Sequence, residues 1–164
     1  MNLRSLSLMA VVLILAACAE KPAETGGGTT TTAAPPATAG TPTGPAAGSK
    51  EDFVQNVGDR VFFDFDKSDI KPEGQTTLEH QAKFLQQYAN YTVTVEGHCD
   101  DRGTREYNLA LGERRANAVK DYLVASGVSA SRLSTISYGK ERPIVLGSNE
   151  AAWSQNRVGI SVPQ

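Results

Sequence analysis

The sequence predicts a two-layer α/β domain in which helices pack on a mixed β-sheet. Short runs in which every second residue is apolar alternate with longer runs in which apolar residues recur every three or four positions. Their order is strand, helix, strand, helix, followed by two further strands, which is typical of helices laid across a single sheet. The 164-residue chain has room for one such domain, and we place it at residues 51–164.

The first strand and the first helix of this domain are predicted within residues 60–89. The run Arg60–Phe65 is rich in aromatic residues, and its alternation predicts that Val61, Phe63 and Phe65 share one face. Pro72 follows at a place where a helix can begin, because proline is favoured in the first helical turn. Spacings of four, three and four then predict the apolar stripe of that helix, which is formed by Leu78, Ala82, Leu85 and Ala89.

The second strand and the second helix repeat this pattern. Thr92–Glu96 alternates with period two, and the helix is predicted over Glu106–Ser126 with Gly127 as its stop. Its apolar side is predicted to contain Leu109, Ala116, Val119 and Leu123.

Two more strands complete the predicted sheet. They are expected at Leu133–Tyr138 and at Arg157–Val162. Between them we expect a loop and one short helix around Glu150–Ser154, for which Ser148 and Asn149 are candidate N-caps because their side chains accept hydrogen bonds from free helix N–H groups.

The N-terminus has the layout of a secretory signal, predicted here at residues 1–17. A positive first segment is followed by the apolar run Leu8–Ala17, which is too short to cross a membrane as a helix. The sequence Leu15-Ala16-Ala17-Cys18 resembles the bacterial lipobox, which implies that Cys18 is lipidated and becomes the new N-terminus. Ala19 after that cysteine implies delivery to the outer membrane of a Gram-negative cell. The competing interpretation is an ordinary signal peptide with an incidental Cys18.

Residues 18–50 are predicted to be a disordered tether. Of the residues 19–50, twenty-seven are Thr, Ala, Gly or Pro, their net charge is zero, and no apolar period is present. A flexible chain of this length has an end-to-end distance of roughly 30 Å and an extended reach of about 100 Å, which suits a link between a lipid anchor and a distant target. A spacer of arbitrary length fits the composition equally well.

The charge and cysteine content of the folded part exclude two classes of protein. Residues 51–164 contain thirteen Lys or Arg and sixteen Asp or Glu, so their net charge is about −3 and nucleic acid is not an expected partner. Cys99 is the one cysteine besides Cys18, so an intramolecular disulfide is not expected after lipidation. No cofactor is implied.

Charged and polar residues gather where the second strand passes into the second helix. Asp100 lies in the Gly-bounded loop Gly97–Thr104, and the carboxyl ends of strands are where α/β sheets bind ligands. Asn108 and Arg115 are about two helical turns apart on one stripe, and Gly112 between them leaves a bare groove floor. An acid, an amide and a guanidinium suit a ligand with both an ammonium and a carboxylate. The alternative is a turn-capping Asp100 and an ordinary surface pair of Arg115.

The segment GHCDDRGTREYNLALGERRANAV, residues 97–119, resembles the signature of OmpA-like peptidoglycan-binding domains. The likeness extends over about Val61 to Arg157. It implies a non-catalytic domain that binds the diaminopimelate of peptidoglycan stem peptides. By position in the family motifs, the residues implied to contact this ligand are Asp100, Arg115, Asn108, Arg157 and Asp66.

Together with the lipobox, the resemblance implies an outer-membrane lipoprotein that faces the periplasm and ties the outer membrane to the cell wall. It also implies binding to the periplasmic Tol system, notably TolB, and a role in cell division and envelope integrity. The sequence departs from the family in two places. Relatives usually have a second arginine after Arg157, where Val158 stands here, and they often have Thr or Ala in place of Cys99. Arg102 occupies a position where some relatives have a contacting Thr.

Three other functions are compatible with parts of the sequence. Asp64 and Asp66 after an apolar strand fit a phosphotransferase of the haloacid dehalogenase type, although about 110 folded residues are few for that fold. A calcium loop starting at Asp64 is set aside, because Asp69 and Gln75 stand where the loop requires Gly and Glu. A protein that binds only other proteins is the third alternative.

For His98 we expect a hydrogen-bonded structural role, since one histidine without a spaced partner is a poor metal site.

Overall fold

The computed structural model describes residues 44–164. The predicted signal peptide, Cys18 and most of the predicted tether lie outside the described residues. Within residues 44–164, no helix is long and apolar enough to cross a membrane.

Three α-helices and four strands follow one another in the predicted order, and one further short α-helix precedes them. They are α1 at Lys50–Asp52, which continues as a π-helical turn at Phe53–Gly58, β1 at Arg60–Phe62, α2 at Pro72–Gln87, β2 at Val93–His98, α3 at Arg105–Ala125, a 3-10 turn at Ala130–Arg132, β3 at Leu133–Gly139, α4 at Glu150–Asn156 and β4 at Val158–Pro163.

The four strands form a mixed sheet in the order β1-β4-β2-β3. β3 pairs with β2 in parallel, and β4 lies antiparallel to both β1 and β2. β1 and β2 therefore run in the same direction, and the loops that follow them leave the sheet at the same edge. The predicted fold class, helices on a mixed sheet, is confirmed.

The core joins one face of the sheet to α2 and α3. Strand residues Val61 and Val95 pack in one buried cluster with Leu85 from α2 and Val119 from α3. α3 approaches the sheet closely because two glycines face each other: a Cβ on Gly97 would stand 1.9 Å from the carbonyl oxygen of Gly112. Gly112 thus serves helix–sheet contact, and the prediction that it forms a bare groove floor is wrong.

Three predicted core positions are wrong. Phe65 is 56% exposed because the chain leaves β1 after Phe62 and turns outwards. Ala89 lies beyond the C-terminus of α2, and Leu109 is 47% exposed on the outer side of α3. The predicted N-cap Asn149 is confirmed: its side chain accepts a hydrogen bond from the backbone N–H of Ala152 at the start of α4.

The segment before β1 is a helix that the sequence analysis did not assign. The side chain of Ser49 caps α1, and Phe53 is fully buried against the ring of Phe84, with 5.2 Å between ring centroids. The Tyr91 hydroxyl donates to the carbonyl of Gly48 at 2.9 Å. Contacts with the domain therefore begin N-terminal to residue 51.

Candidate functional site

A pocket opens at the sheet edge where β1 and β2 end and α3 begins. Its volume is about 140 Å³, and it is open to solvent. The residues that line it are Phe65, Asp66, Cys99, Asp100, Arg102, Gly103, Tyr107, Asn108, Leu111 and Arg115.

Four of the five predicted ligand contacts line this pocket, namely Asp66, Asp100, Asn108 and Arg115. The fifth, Arg157, lies between α4 and β4, with its Nη1 3.4 Å from Oδ2 of Asp100. The predicted residues are therefore one cluster in space, and their contact with a ligand stays a prediction.

Asp100 is the acidic centre of the cluster and is only 4% exposed. Nη2 of Arg102 donates to its Oδ2 at 2.5 Å and Nε of Arg102 at 3.2 Å, while Arg157 approaches the same oxygen. Both guanidinium groups thus use Oδ2. Among the described residues, none donates a hydrogen bond to Oδ1, so this oxygen is left for another donor.

Arg115 lies in the pocket wall with its guanidinium turned towards backbone carbonyls. It donates to the carbonyls of His98 at 2.8 Å, Lys67 at 2.9 Å and Asp64 at 3.1 Å, and its Nη1 lies 3.4 Å from the sulfur of Cys99. Only 1% of the residue is exposed, and this burial lowers the pKa of Arg115 from its usual value. Arg115 therefore joins the loops after β1 and β2 from the inside.

Asn108 fixes the loop that carries Asp100. It lies in the first turn of α3, where Thr104 is the N-cap, and its Nδ2 donates to the carbonyls of Arg102 at 2.7 Å and Thr104 at 2.9 Å. Because the amide is 2% exposed and already holds two carbonyls, its main contribution is the shape of the loop.

Arg157 connects the same loop to α4. Its Nη2 donates to Glu150 at 2.7 Å and its Nε to the carbonyl of Phe63 at 3.1 Å, in addition to its contact with Asp100. The Arg157 side chain thus bridges an exposed acid and a buried one, since the side chain of Glu150 is 65% exposed and that of Asp100 is 5% exposed.

The outer rim of the pocket contains groups that the sequence analysis missed or left undecided. The Tyr107 hydroxyl donates to the carboxylate of Asp66, which has a left-handed backbone with φ of 57°. The guanidinium of Arg102 lies between the rings of Phe65 and Trp153, 4.0 and 4.1 Å from their centroids. An aromatic residue just past the end of β1 was the available sequence signal for such a rim.

His98 and Cys99 are structural neighbours of the pocket. Nδ1 of His98 lies 3.0 Å from the carbonyl oxygen of Arg142, and burial lowers the pKa of this imidazole. The Cys99 thiol donates to the carbonyl of Asn108 at 3.3 Å, and burial raises its pKa to about 11. In residues 44–164, no group of three or more His, Cys, Asp or Glu side chains is placed to hold a metal ion.

Known proteins match both the sequence and the fold. A profile described as the OmpA family matches residues 62–157. The peptidoglycan-associated lipoprotein of Agrobacterium fabrum is 49% identical over 154 residues, which cover 94% of this chain and 84% of that protein. Its counterpart in Mesorhizobium japonicum is 50% identical over 153 residues, covering 93% and 87%. The crystal structure of the peptidoglycan-associated lipoprotein from Burkholderia pseudomallei matches with a TM-score of 0.67 at 36% identity, covering 71% of this chain and 100% of that one.

The fold, the pocket at the strand ends and the profile agree, and the chain belongs to the OmpA family. Within this family, it is similar over most of its length to the peptidoglycan-associated lipoproteins. The resemblance noted in residues 97–119 is thereby confirmed, and the phosphotransferase alternative loses its basis, since it assumed a different fold.

Proposed function

We propose that this protein is an outer-membrane lipoprotein that binds peptidoglycan non-covalently and ties the outer membrane to the cell wall. The ligand group is the diaminopimelate of the stem peptide, held in the pocket between β1, β2 and α3. The observation that carries the proposal is the Oδ1 of Asp100, to which no residue within 44–164 donates a hydrogen bond, in a pocket that also contains two guanidinium groups. The name of the homologues, peptidoglycan-associated lipoprotein, supports it.

The acid and the cations of the pocket complement the two charged groups at the end of diaminopimelate. The ligand ammonium meets Oδ1 of Asp100, because Oδ2 is already occupied by Arg102 and Arg157. The ligand carboxylate is attracted by the same guanidinium groups and by the buried charge of Arg115. Arg102 is the most accessible of the three, since 31% of its side chain is exposed.

The arrangement fits holding a ligand and we propose no catalysis. Two acids of the pocket, Asp66 and Asp100, already accept hydrogen bonds from Tyr107 and Arg102, which orients them. The thiol of Cys99 is neutral at neutral pH because its pKa is raised. We also propose the Tol system, notably TolB, as a protein partner, and the periplasmic face of the outer membrane as the location through a lipid on Cys18.

Sedimentation with purified cell-wall sacculi tests this function. Asp100→Asn keeps the shape of the side chain and removes the charge that would meet the ligand ammonium. We expect affinity to fall about tenfold to a hundredfold, since a hydrogen bond to a charged group contributes about 1.5–3 kcal/mol.

The matched control is Asp69→Asn, which removes one exposed charge from the loop after β1 without touching the pocket. Thermal unfolding of both variants should stay within a few degrees of the wild type. If Asp100→Asn is folded and still sediments like the Asp69→Asn control, Asp100 does not bind the ligand and the proposed function must be given up.

A further inference from the structure

Asp101 lies next to the ligand-contacting loop residues but points away from the pocket. Its Oδ1 accepts a hydrogen bond from the indole Nε1 of Trp153 at 2.6 Å, and its Oδ2 accepts one from the hydroxyl of Ser148. The carboxylate thus joins the loop after β2 to α4 and to the loop that precedes it. Hydrogen bonds to an ionised acceptor are stronger than those between neutral groups.

Trp153 transmits this contact to the pocket. Its ring lies on one face of the Arg102 guanidinium, and Phe65 lies on the other face. Arg102 in turn donates two hydrogen bonds to Asp100. A continuous series of contacts therefore runs from Asp101 through Trp153 and Arg102 to the acid at the centre of the pocket.

We propose that Asp101 is a positioning residue for ligand binding, which acts through Trp153 to hold Arg102 between two aromatic rings and against Asp100. The proposal rests on the proposed function, because it concerns the same pocket. An arginine side chain loses considerable rotamer entropy when it is fixed. If the guanidinium is already fixed in the free protein, this entropy loss does not reduce the free energy of ligand binding. The indole N–H bond fixes the ring, and the ring fixes the guanidinium.

The loop itself has an independent fixing point, so loss of the Asp101 carboxylate should leave the fold intact. Nζ of Lys140 donates to the backbone carbonyls of Asp101 at 3.2 Å and Gly103 at 2.6 Å. Asn108 holds the loop from the other side through the carbonyl of Arg102. Neither contact involves the Asp101 side chain.

Trp153 is the one tryptophan of the chain, so its fluorescence reports directly on the contact between its indole N–H and the Asp101 carboxylate. In the mature chain in detergent, without ligand, Asp101→Ala should shift the emission to longer wavelength, because an indole released from its acceptor meets more water. Asp101→Asn keeps an acceptor for the indole N–H and should restore most of the wild-type spectrum. Asp121→Ala removes an exposed acid further along α3 and serves as the control that leaves the spectrum unchanged.

Affinity for a diaminopimelate-containing stem peptide, measured by calorimetry, provides the second readout. Asp101→Ala should bind about threefold to tenfold more weakly, as expected for one lost hydrogen bond, while Asp101→Asn stays within about twofold of the wild type. Trp153→Phe retains a ring for Arg102 and removes the N–H. In that background, Asp101→Ala should cause little further loss, because the contact through which it acts is already absent.

Three results would overturn the proposal: an unchanged emission spectrum of Asp101→Ala, unchanged affinity of that folded variant, or an equal loss of affinity in the Trp153→Phe background. Failure of the proposed function gives a different result. In that case the wild type itself does not bind the peptide. The emission shift of the ligand-free Asp101→Ala variant still shows whether Asp101 holds the indole of Trp153.

Discussion

Arg115 is a buried cation that the sequence placed at the ligand and the structure places among backbone carbonyls. Its guanidinium donates to the carbonyls of Asp64 and Lys67 in the loop after β1 and to that of His98, the last residue of β2. Lysine cannot replace this fork, because an ammonium is a single point charge on a flexible stem. An Arg115 variant can therefore lose sacculus binding because the pocket loses its shape, without any lost contact to the ligand.

We expect Arg115→Ala to lower the free energy of unfolding by about 3 kcal/mol or more, because three carbonyls lose their donor and a cavity remains. Urea denaturation of this variant and of Arg114→Ala, the exposed neighbour on the same helix, measures the effect. A loss of under about 1 kcal/mol, with sacculus binding abolished, would instead assign Arg115 to the ligand.

His98 gives the stability of the domain a pH dependence. Burial lowers the pKa of its imidazole, and this outweighs the nearby carbonyl of Arg142 and the carboxylate of Glu96, which favour the charged form. The unfolded chain therefore takes up this proton at a higher pH than the folded chain does. The stabilising contribution is complete above the ordinary histidine pKa of about 6.5 and is lost as the pH falls below it.

We predict that the free energy of unfolding decreases between about pH 7 and about pH 5.5, and that His98→Gln flattens this slope. Chemical denaturation at several pH values in this window measures both. His80 is present in both proteins, so it cannot produce a difference between them. An identical slope in His98→Gln would show that other groups set the pH dependence.

At the scale of single elements, the contact between α3 and β2 determines the width of the pocket. The Cβ of an alanine at position 97 would meet the carbonyl oxygen of Gly112, which is backbone and cannot rotate away. α3 would have to move outwards, and it carries both Asn108 and Arg115. Close packing of a helix on a strand is here a requirement of the site as well as of the core.

We expect Gly97→Ala to cost about 1–3 kcal/mol of unfolding free energy through overpacking, and to weaken sacculus binding in the fraction that remains folded. Gly44→Ala is the matched control, since a Cβ at Gly44 meets no heavy atom within 4 Å. Thermal unfolding and sedimentation of the two variants give the comparison. A Gly97→Ala protein as stable as the Gly44→Ala control would mean that α3 can shift freely.

The elements that the sequence predicted are those with a strong period. Val61 and Val119 were predicted as core positions because strands and helices repeat every two or about 3.6 residues. Positions at which an element ends were misjudged, since a period does not show where the chain turns: Phe65 and Ala89 continue the pattern beyond the last hydrogen bond of their elements. The helix from Lys50 was missed because it follows a segment of biased composition and is very short.

The site was predictable in part for a related reason. The resemblance over about Val61 to Arg157 identified five side chains that gather at the pocket. Neither spacing nor resemblance shows which of their donors are already engaged. The difference between Arg115, with its carbonyl partners, and Arg102, on the exposed rim, depends on loops that are distant in sequence. Trp153 belongs to the rim only because α4 folds back over the loop after β2.

At the scale of the whole molecule, the proposed function needs two associations in different parts of the sequence. The lipid on Cys18 would hold the chain in the membrane, and the pocket around Asp100 would hold the cell wall. About 30 residues, mostly Thr, Ala, Gly and Pro, separate Cys18 from the helix that begins at Lys50, with an extended reach of about 100 Å. Because membrane attachment and cell-wall binding use different residues, a substitution should be able to remove one of them and leave the other intact.

We therefore predict that Cys18→Ser and Asp100→Asn each impair a different association: Cys18→Ser impairs membrane attachment and Asp100→Asn impairs binding to the cell wall. Cys18→Ser, followed in cells by fractionation, should leave the membrane fraction and still sediment with sacculi, because membrane attachment requires the acyl chains. Asp100→Asn should stay with the membrane and bind sacculi about tenfold to a hundredfold more weakly, as argued for the lost ammonium contact. Asp69→Asn should behave like the wild type in both assays. One result would contradict this prediction: Cys18→Ser protein that has lost its signal peptide but remains in the membrane fraction after the sacculi are digested. The membrane would then be bound by something other than a lipid on Cys18, and the anchor would have to lie elsewhere in the chain.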